Sequence, residues 1–212
     1  MFSTGIQKRV LNFLHDKINA KNRERLKNTT PTLICSNCAG GFIYHWLGLQ
    51  FRSPFINLFL MPEDFVKALE NFDEFIDTPI QEVSDSGKDY PVGVGALGIK
   101  VYFMHYKSFA EAIEKWNERK QRIDKNNMGV MLSNYAGGYE LLKRFDALPY
   151  AHKVVFVPEP VESIKSAVYL KNYDASRKNL YRTISITGKR CIDQFDYVNF
   201  INCLEEEKHE KS

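Results

Sequence analysis

The residues best equipped for chemistry lie in Ser36-Asn37-Cys38-Ala39-Gly40-Gly41, between the apolar run Thr32–Cys35 and the aromatic-rich stretch Phe42–Leu47. A strand that turns into a helix here presents the first helical amides, whose partial positive charge suits a carboxylate, a phosphate or a developing oxyanion. Cys38 stands just ahead of the expected helix, where a thiol pKa tends to fall and a nucleophilic thiolate becomes available. Asn37 is a suitable oxyanion donor, and the Gly40 and Gly41 amides complete the cradle. The plainer reading is a tight Gly-Gly turn with Cys38 as a small filler.

His105 closes a second apolar run, Ile99–Met104, and heads His105-Tyr106-Lys107-Ser108. The capping pattern Ser108-Phe-Ala-Glu111 opens a helix directly afterwards. An imidazole at that junction is placed for general acid–base work, and would serve as base for Cys38 if the fold brings the two together. Tyr106 and Lys107 are candidate substrate contacts beside it. Arg119, in the basic stretch Lys115–Arg122, could neutralise a phosphate, although such stretches are commonly solvated helix faces; Trp116 between them reads as core. His45, one turn beyond Gly41 and flanked by Phe42, Tyr44 and Trp46, reads as a core histidine or, alternatively, as a ligand contact. A second turn, Ser133-Asn134-Tyr135-Ala136-Gly137-Gly138, repeats the first with five of six residues identical. It adds Asn134 and Gly137 as candidate contacts.

Other chemistries fit less well. Cys35 and Cys38 form a Cys-x-x-Cys, but Cys35 ends the strand and is expected to point into the sheet, which argues against a redox pair. Cys191 and Cys203 are too far apart for a second zinc pair, and no paired-histidine pattern accompanies them; no metal site is expected. Gly93-Val-Gly-Ala-Leu-Gly98 has the letters of a dinucleotide fingerprint, but it precedes a strand instead of joining a strand to a helix.

The elements that must position these residues alternate. Strands are expected at Thr32–Cys35, Phe55–Leu60, Ile80–Val83, Ile99–Met104, Gly129–Leu132 and Lys153–Val157. Helices are expected at Phe42–Leu47, Glu63–Ile76, Ser108–Ile123, Gly138–Leu148 and Phe195–Glu207. The alternation predicts a three-layer α/β/α domain over residues 31–204 with a largely parallel sheet. In such sheets ligands bind at the carboxyl ends of the strands, which is where Cys38, His105 and the second turn fall. Ahead of this domain, Ile6, Val10, Phe13, Leu14 and Ile18 keep helical spacing among lysines and arginines. They predict an amphipathic helix packed on the domain with a basic outer face, followed by a linker through Pro31. Residues 205–212 form a charged tail.

Composition agrees with a globular chain: of 212 residues, 44% are hydrophobic and 26% charged, which excludes a disordered or fibrous protein. The net charge of +3 is unevenly placed. Residues 1–30 hold seven basic against two acidic side chains, whereas the rest has 22 basic against 24 acidic. The body therefore lacks the basic surface a nucleic-acid partner needs, while the first helix could meet an anionic membrane through residues 3–27. No apolar stretch reaches membrane-spanning length, no secretory leader is apparent, and four cysteines in this length are not a disulfide scaffold. A cytoplasmic protein, peripherally attached to a membrane at most, is expected.

The stretch from Ser36 to Pro54, with Tyr90-Pro-Val-Gly93, Phe103–Phe109, Lys115-Trp116-Asn117 and Arg119, Leu148-Pro-Tyr150 and Phe195-Asp-Tyr197, resembles a bacterial family. Its members carry a domain of unknown function and are commonly labelled exopolysaccharide or capsular polysaccharide biosynthesis proteins. The resemblance covers most of residues 32–200 and implies a place in surface-glycan synthesis. Family members have an acidic Asp-Gly type loop where this chain has Ser133–Gly138, which puts in doubt any step that needs that acid. The Asn-Cys turn at a helix start is also similar to that of a coenzyme A-binding capsule-biosynthesis family. Together these imply acyl or related group transfer to a small-molecule or lipid-linked sugar, with coenzyme A as a candidate acyl donor. The alternative is a non-catalytic protein that binds a nucleotide-sugar or glycan within a biosynthetic complex.

Overall fold

The structure is a computed structural model that describes residues 4–133, 138–174 and 179–204. Asn134, Gly137 and the tail at 205–212 lie outside the described residues. In chain order the elements are α1 (Thr4–Arg25), β1 (Thr32–Cys35), α2 (Ala39–Leu47), α3 (Pro62–Glu70), α4 (Phe72–Asp77), β2 (Gln81–Glu82), β3 (Val92–Val94) and β4 (Lys100–Tyr102). They continue with α5 (Phe109–Lys120), β5 (Met128–Leu132), α6 (Gly138–Ala147), β6 (Lys153–Val157), β7 (Ala167–Tyr169) and α7 (Tyr197–Cys203).

Four short apolar runs become a parallel sheet in the order β1-β5-β6-β7, with Cys35 opposite Met131 and Leu132 opposite Val155. Successive strand residues face opposite sides, and both sides are covered. Ile34, Val130, Leu132, Val155 and Val157 pack with α3, α4, α5 and α6; Leu33, Cys35, Met131, Val154 and Phe156 pack with α2 and α7. Burial on both faces is why these strands read as continuous apolar runs without alternation. The expected three-layer α/β arrangement is present. Trp116 is buried in the first of these cores, and Ser108 caps α5 by accepting the Glu111 amide at 3.2 Å.

Two expectations about the strands need correction. The runs at 80–83 and 99–104 do not join the parallel sheet. They form, with β3, a separate antiparallel sheet β2-β3-β4. Gly93 explains why β3 escapes a pattern search: a Cβ there would lie 2.4 Å from Ile80 Cγ2, so the backbone itself is the packing surface. The glycine-rich stretch is thus part of a strand and of a turn, in which Leu97 and Gly98 both have positive φ. Phe55–Leu60 is no strand. Phe55, Ile56, Leu58 and Leu60 are buried, but Asn57 takes the left-handed conformation at φ 61° and breaks the extended run. Only Phe59 pairs, with Tyr102, before α3 begins.

The α1 helix forms as expected with its lysines and arginines exposed, but of its five apolar positions only Leu14 and Ile18 turn partly inward. Its contacts with the domain are mixed and largely polar: His15 Nε2 lies 3.1 Å from Thr183 Oγ1, Asn22 donates to the Tyr197 hydroxyl at 2.7 Å, and Arg23 donates to the Trp46 carbonyl at 2.8 Å. Arg25 pairs with Asp196. Ile6, Val10 and Phe13, expected underneath, are exposed. The following linker is anchored, because the Asn28 side chain is buried and donates to Asn127 Oδ1 at 2.6 Å and to the Ile201 carbonyl at 2.9 Å. Among the described residues no helix is long and apolar enough to cross a membrane.

Candidate functional site

At the carboxyl edge of the parallel sheet, β1 and β5 are neighbours, so Ser36 and Ser133, which follow them, stand side by side. The Ser36 amide donates to the Met131 carbonyl at 3.0 Å, and the Ser133 amide donates to Ser36 Oγ at 3.1 Å. Asn37 is the hub of the junction. Its Oδ1 accepts from the Ala39 amide at 3.0 Å, the Ser133 hydroxyl at 2.6 Å and the Tyr181 hydroxyl at 2.8 Å. Three donors on one oxygen fix the side chain and leave Nδ2 as its remaining polar atom.

The α2 helix starts at Ala39, earlier than the sequence suggests, so Gly40 and Gly41 belong to its first turn and Cys38 occupies the cap position. Gly40 is there for space: a Cβ would come 2.9 Å from Cys35 Sγ. Its amide hydrogen-bonds the same sulfur. Gly40 therefore turns inward, while Gly41 reaches the surface of the cleft.

Two adjoining pockets open here and share Cys38, Phe42 and His105. The larger, about 440 Å³, is also lined by Asn37, Phe59, Met61, Met104, Ser133, Tyr173, Leu180 and Tyr181. The smaller, about 340 Å³, is completed by Gly41, His45, Phe51 and Asn57. One lobe is thus walled by aromatic and aliphatic side chains, and the other carries two imidazoles. Cys38 stands at their junction, its Sγ 3.9 Å from the Leu58 carbonyl oxygen.

His105 reaches the cleft by an unexpected route. It follows β4 of the antiparallel sheet, not a parallel strand, and its amide donates to the Asn57 carbonyl at 3.3 Å. The irregular 55–60 segment therefore bridges the two sheets and sets the imidazole beside the β1 turn. His45 also departs from expectation: it is exposed and lines the smaller pocket, because α2 turns it away from the core that holds Ile43, Tyr44 and Leu47.

Tyr106 and Arg119 stand behind the wall. Tyr106 is buried and donates to the Ile56 carbonyl at 2.9 Å, while Arg119 donates to the Tyr106 hydroxyl at 2.7 Å and lies 5.2 Å from the Phe51 ring centre. They brace Phe51 and the 55–60 segment. Lys107 is exposed, lines neither pocket, and uses its amide to reach Glu111 at 3.1 Å in the α5 cap.

Tyr173 and Tyr181 are wall residues that no sequence signal marks, since they lie in the irregular stretch after β7. Tyr173 donates to the Ser133 carbonyl. Burial pushes both phenols well up from their ordinary value, so they stay protonated donors. Burial likewise raises the Cys35 thiol to about 12, which leaves Cys35 inert at neutral pH. Among the described residues no group of three or more His, Cys, Asp or Glu could hold a metal ion.

The architecture defines a three-layer α/β protein with a cleft at the carboxyl edge of its parallel sheet, the edge where proteins of this class usually bind ligands. The family follows from comparison with known proteins. Residues 9–202 match the model of the domain of unknown function DUF1919, and the chain belongs to that family. An uncharacterized protein of Haemophilus influenzae is 38% identical over 188 residues, which cover 87% of this chain and 90% of that relative.

Proposed function

We propose that the protein is a group-transfer enzyme of surface-polysaccharide synthesis, moving an acyl group to a sugar intermediate through Cys38 and His105. The observation that carries this reading is that a cysteine at a helix cap and a histidine from a different sheet line the same two pockets. In the proposed step Cys38, deprotonated by His105, attacks the carbonyl carbon of an acyl thioester of the coenzyme A type. The donor's carbon–sulfur bond breaks, a Cys38 thioester forms, and His105 returns its proton to the departing thiolate. A sugar hydroxyl then attacks the Cys38 thioester, yields its proton to His105 and leaves as the ester with Cys38 restored. The oxyanion of each step would be held by Asn37 Nδ2 and the Gly41 amide.

The two lobes suit such a pair of substrates. The aromatic lobe around Phe42, Phe59 and Tyr181 would take the acyl chain, and the lobe with His45 would take the polar acceptor, free or lipid-linked. The test is mass spectrometry of the intact chain after incubation with short acyl thioesters. A hydroxylamine-labile adduct on Cys38, absent from Cys38→Ala and slowed in His105→Ala, supports the reading. No adduct, together with normal surface glycan in a deletion strain complemented by Cys38→Ala, overturns it. The aromatic wall also suits a base-stacked nucleotide-sugar held without catalysis, and unreactive thiols with sugar-nucleotide binding intact would favour that module.

A further inference from the structure

Ile6, Val10 and Phe13 recur at four- and three-residue spacing on one face of α1, and that face meets solvent, with exposures of 49%, 53% and 57%. Lys17 continues the same face, its Nζ 4.4 Å from the Phe13 ring centre, and Lys21 lies one turn further on. A second element, remote in sequence, stands beside it. The turn at 184–189 is closed by the Ile184 amide donating to the Lys189 carbonyl at 2.8 Å, and it carries Ile186 at 98% exposure. This turn is clamped to the helix. Gly188, at φ +83°, lies so close to α1 that a Cβ would come 2.6 Å from Leu14 Cβ. Between helix and turn is an apolar pocket of about 480 Å³, lined mainly by Ile6, Val10, Leu11, Leu14 and Ile186. Single exposed apolar residues need no explanation, but a contiguous patch assembled from two locked elements marks an interaction surface.

Charge selects the occupant. Arg9, Lys17, Lys21 and Lys189 are exposed around this patch, and between residues 4 and 21 Asp16 is the one acidic residue. A two-fold pairing with a second copy would set these like charges against one another. A bilayer with anionic headgroups complements both features, since apolar side chains enter the headgroup–acyl boundary while lysines and arginines sit over the phosphates. We infer that α1 and the 184–189 turn form a docking surface for anionic membranes, with Ile6, Val10, Phe13 and Ile186 as the inserting residues. This surface is separate from the cleft and does not depend on any reaction at Cys38.

The experiment is cosedimentation of the full chain with phosphatidylcholine vesicles that do or do not contain phosphatidylglycerol. Binding to the anionic vesicles alone, weakened by salt, is the expected result. The Phe13→Asp/Ile186→Asp double variant should lower the bound fraction by about tenfold or more, and Lys17→Glu/Lys21→Glu should do likewise. All four positions are exposed, so unchanged thermal melting separates lost docking from lost folding. Cys38→Ala should bind vesicles as the wild type does, which keeps this test distinct from that of the cleft. The inference is overturned by no binding to anionic vesicles, by equal binding to neutral ones, or by double variants that bind normally. A dimer in light scattering that Ile186→Asp dissociates would also overturn it, by assigning the patch to a second copy.

Discussion

The Ser133 hydroxyl donates to the Asn37 side-chain oxygen at 2.6 Å, so the residues that leave two adjacent parallel strands are locked together at the cleft. The lock shares its acceptor with the Tyr181 hydroxyl and the Ala39 amide. Asn37→Ala strands three donors at once in a partly buried site, and should cost about 2–3 kcal/mol. Ser133→Ala removes one donor and should cost about 1 kcal/mol. Urea unfolding of both variants checks the order, and equal costs would show that Asn37 is not the shared hub.

Gly40 and Cys35 should behave as a coupled pair. Gly40→Ala puts a methyl 2.9 Å from the Cys35 sulfur inside a packed core, an overpacking worth about 1–3 kcal/mol that outweighs the better helix propensity of alanine. Cys35→Ala empties that space. The double variant should therefore be more stable than the sum of the two single effects, by about 1 kcal/mol or more in a denaturation cycle. Additive effects would mean that the strand and helix move apart freely at this point.

The four cysteine thiols should separate by reactivity. Cys35 and Cys191 are buried, and burial raises the pKa of each, Cys35 to about 12. Both should resist alkylation in the folded chain near neutral pH, whereas the partly exposed Cys38 and Cys203 should react. Peptide mapping after a short iodoacetamide pulse reads this directly. Rapid labelling of Cys35 without unfolding would contradict the packing of β1 against α2.

Much of this arrangement is legible in the sequence, for physical reasons. Strands buried on both faces, such as Met128–Leu132 and Lys153–Val157, announce themselves as apolar runs, and capped helices such as α5 announce their starts. The cysteine turn is readable because strand, Gly-Gly and aromatic helix follow one another without a break. What escapes is set by contacts distant in sequence. β3 is hidden by Gly93, whose missing side chain is filled by Ile80, and β7 is only three residues long. The cleft wall from Tyr173 and Tyr181 lies in a stretch with no periodicity. The orientation of α1 is only partly visible, because much of its seat is made by polar residues such as Asn22, Arg23 and Arg25, which read as an ordinary solvated face.

The seat of α1 should loosen in mild acid. The His15 pKa is lowered from 6.5 by burial and by the nearby Arg190 cation, against the opposing pull of Asp193, the Gly188 backbone and Asp16. A depressed pKa in the folded state means that the unfolded chain takes up the proton more readily. The stabilising contribution is therefore complete above pH 6.5 and is lost as the pH falls through the folded value. Asp146 and Asp196 are also depressed despite burial, by hydrogen bonds from Ser166 and from Arg25 respectively. They act only below the ordinary carboxylate range. Urea midpoints should thus drop as the pH falls below 6.5, and His15→Gln should shrink that drop. An unchanged drop in the variant would assign the sensitivity to another group.

Arg190 and Asp193 make a buried ion pair whose partners cannot be removed singly without large loss. Their side chains are only 2% and 5% exposed, with Nε and Nη2 donating to the two carboxylate oxygens at 2.8 and 2.9 Å. Nη2 also donates to Asn19 Oδ1 on α1 at 2.9 Å, and the guanidinium lies 3.5 Å from the Trp46 ring centre on α2. One cation therefore ties the C-terminal segment to both helices. Asp193→Ala leaves that charge desolvated and unpaired, and should cost about 3–5 kcal/mol. Arg190→Met strands the carboxylate and should cost about as much. Replacing both partners with apolar residues of similar volume removes the uncompensated charge, so the double variant should recover most of the loss. In a Trp116→Phe background, where Trp46 is the remaining indole, fluorescence during unfolding follows the site itself. If Asp193→Ala cost less than about 1 kcal/mol, water would have to reach the pair, and the clamp would hold α1 by packing alone.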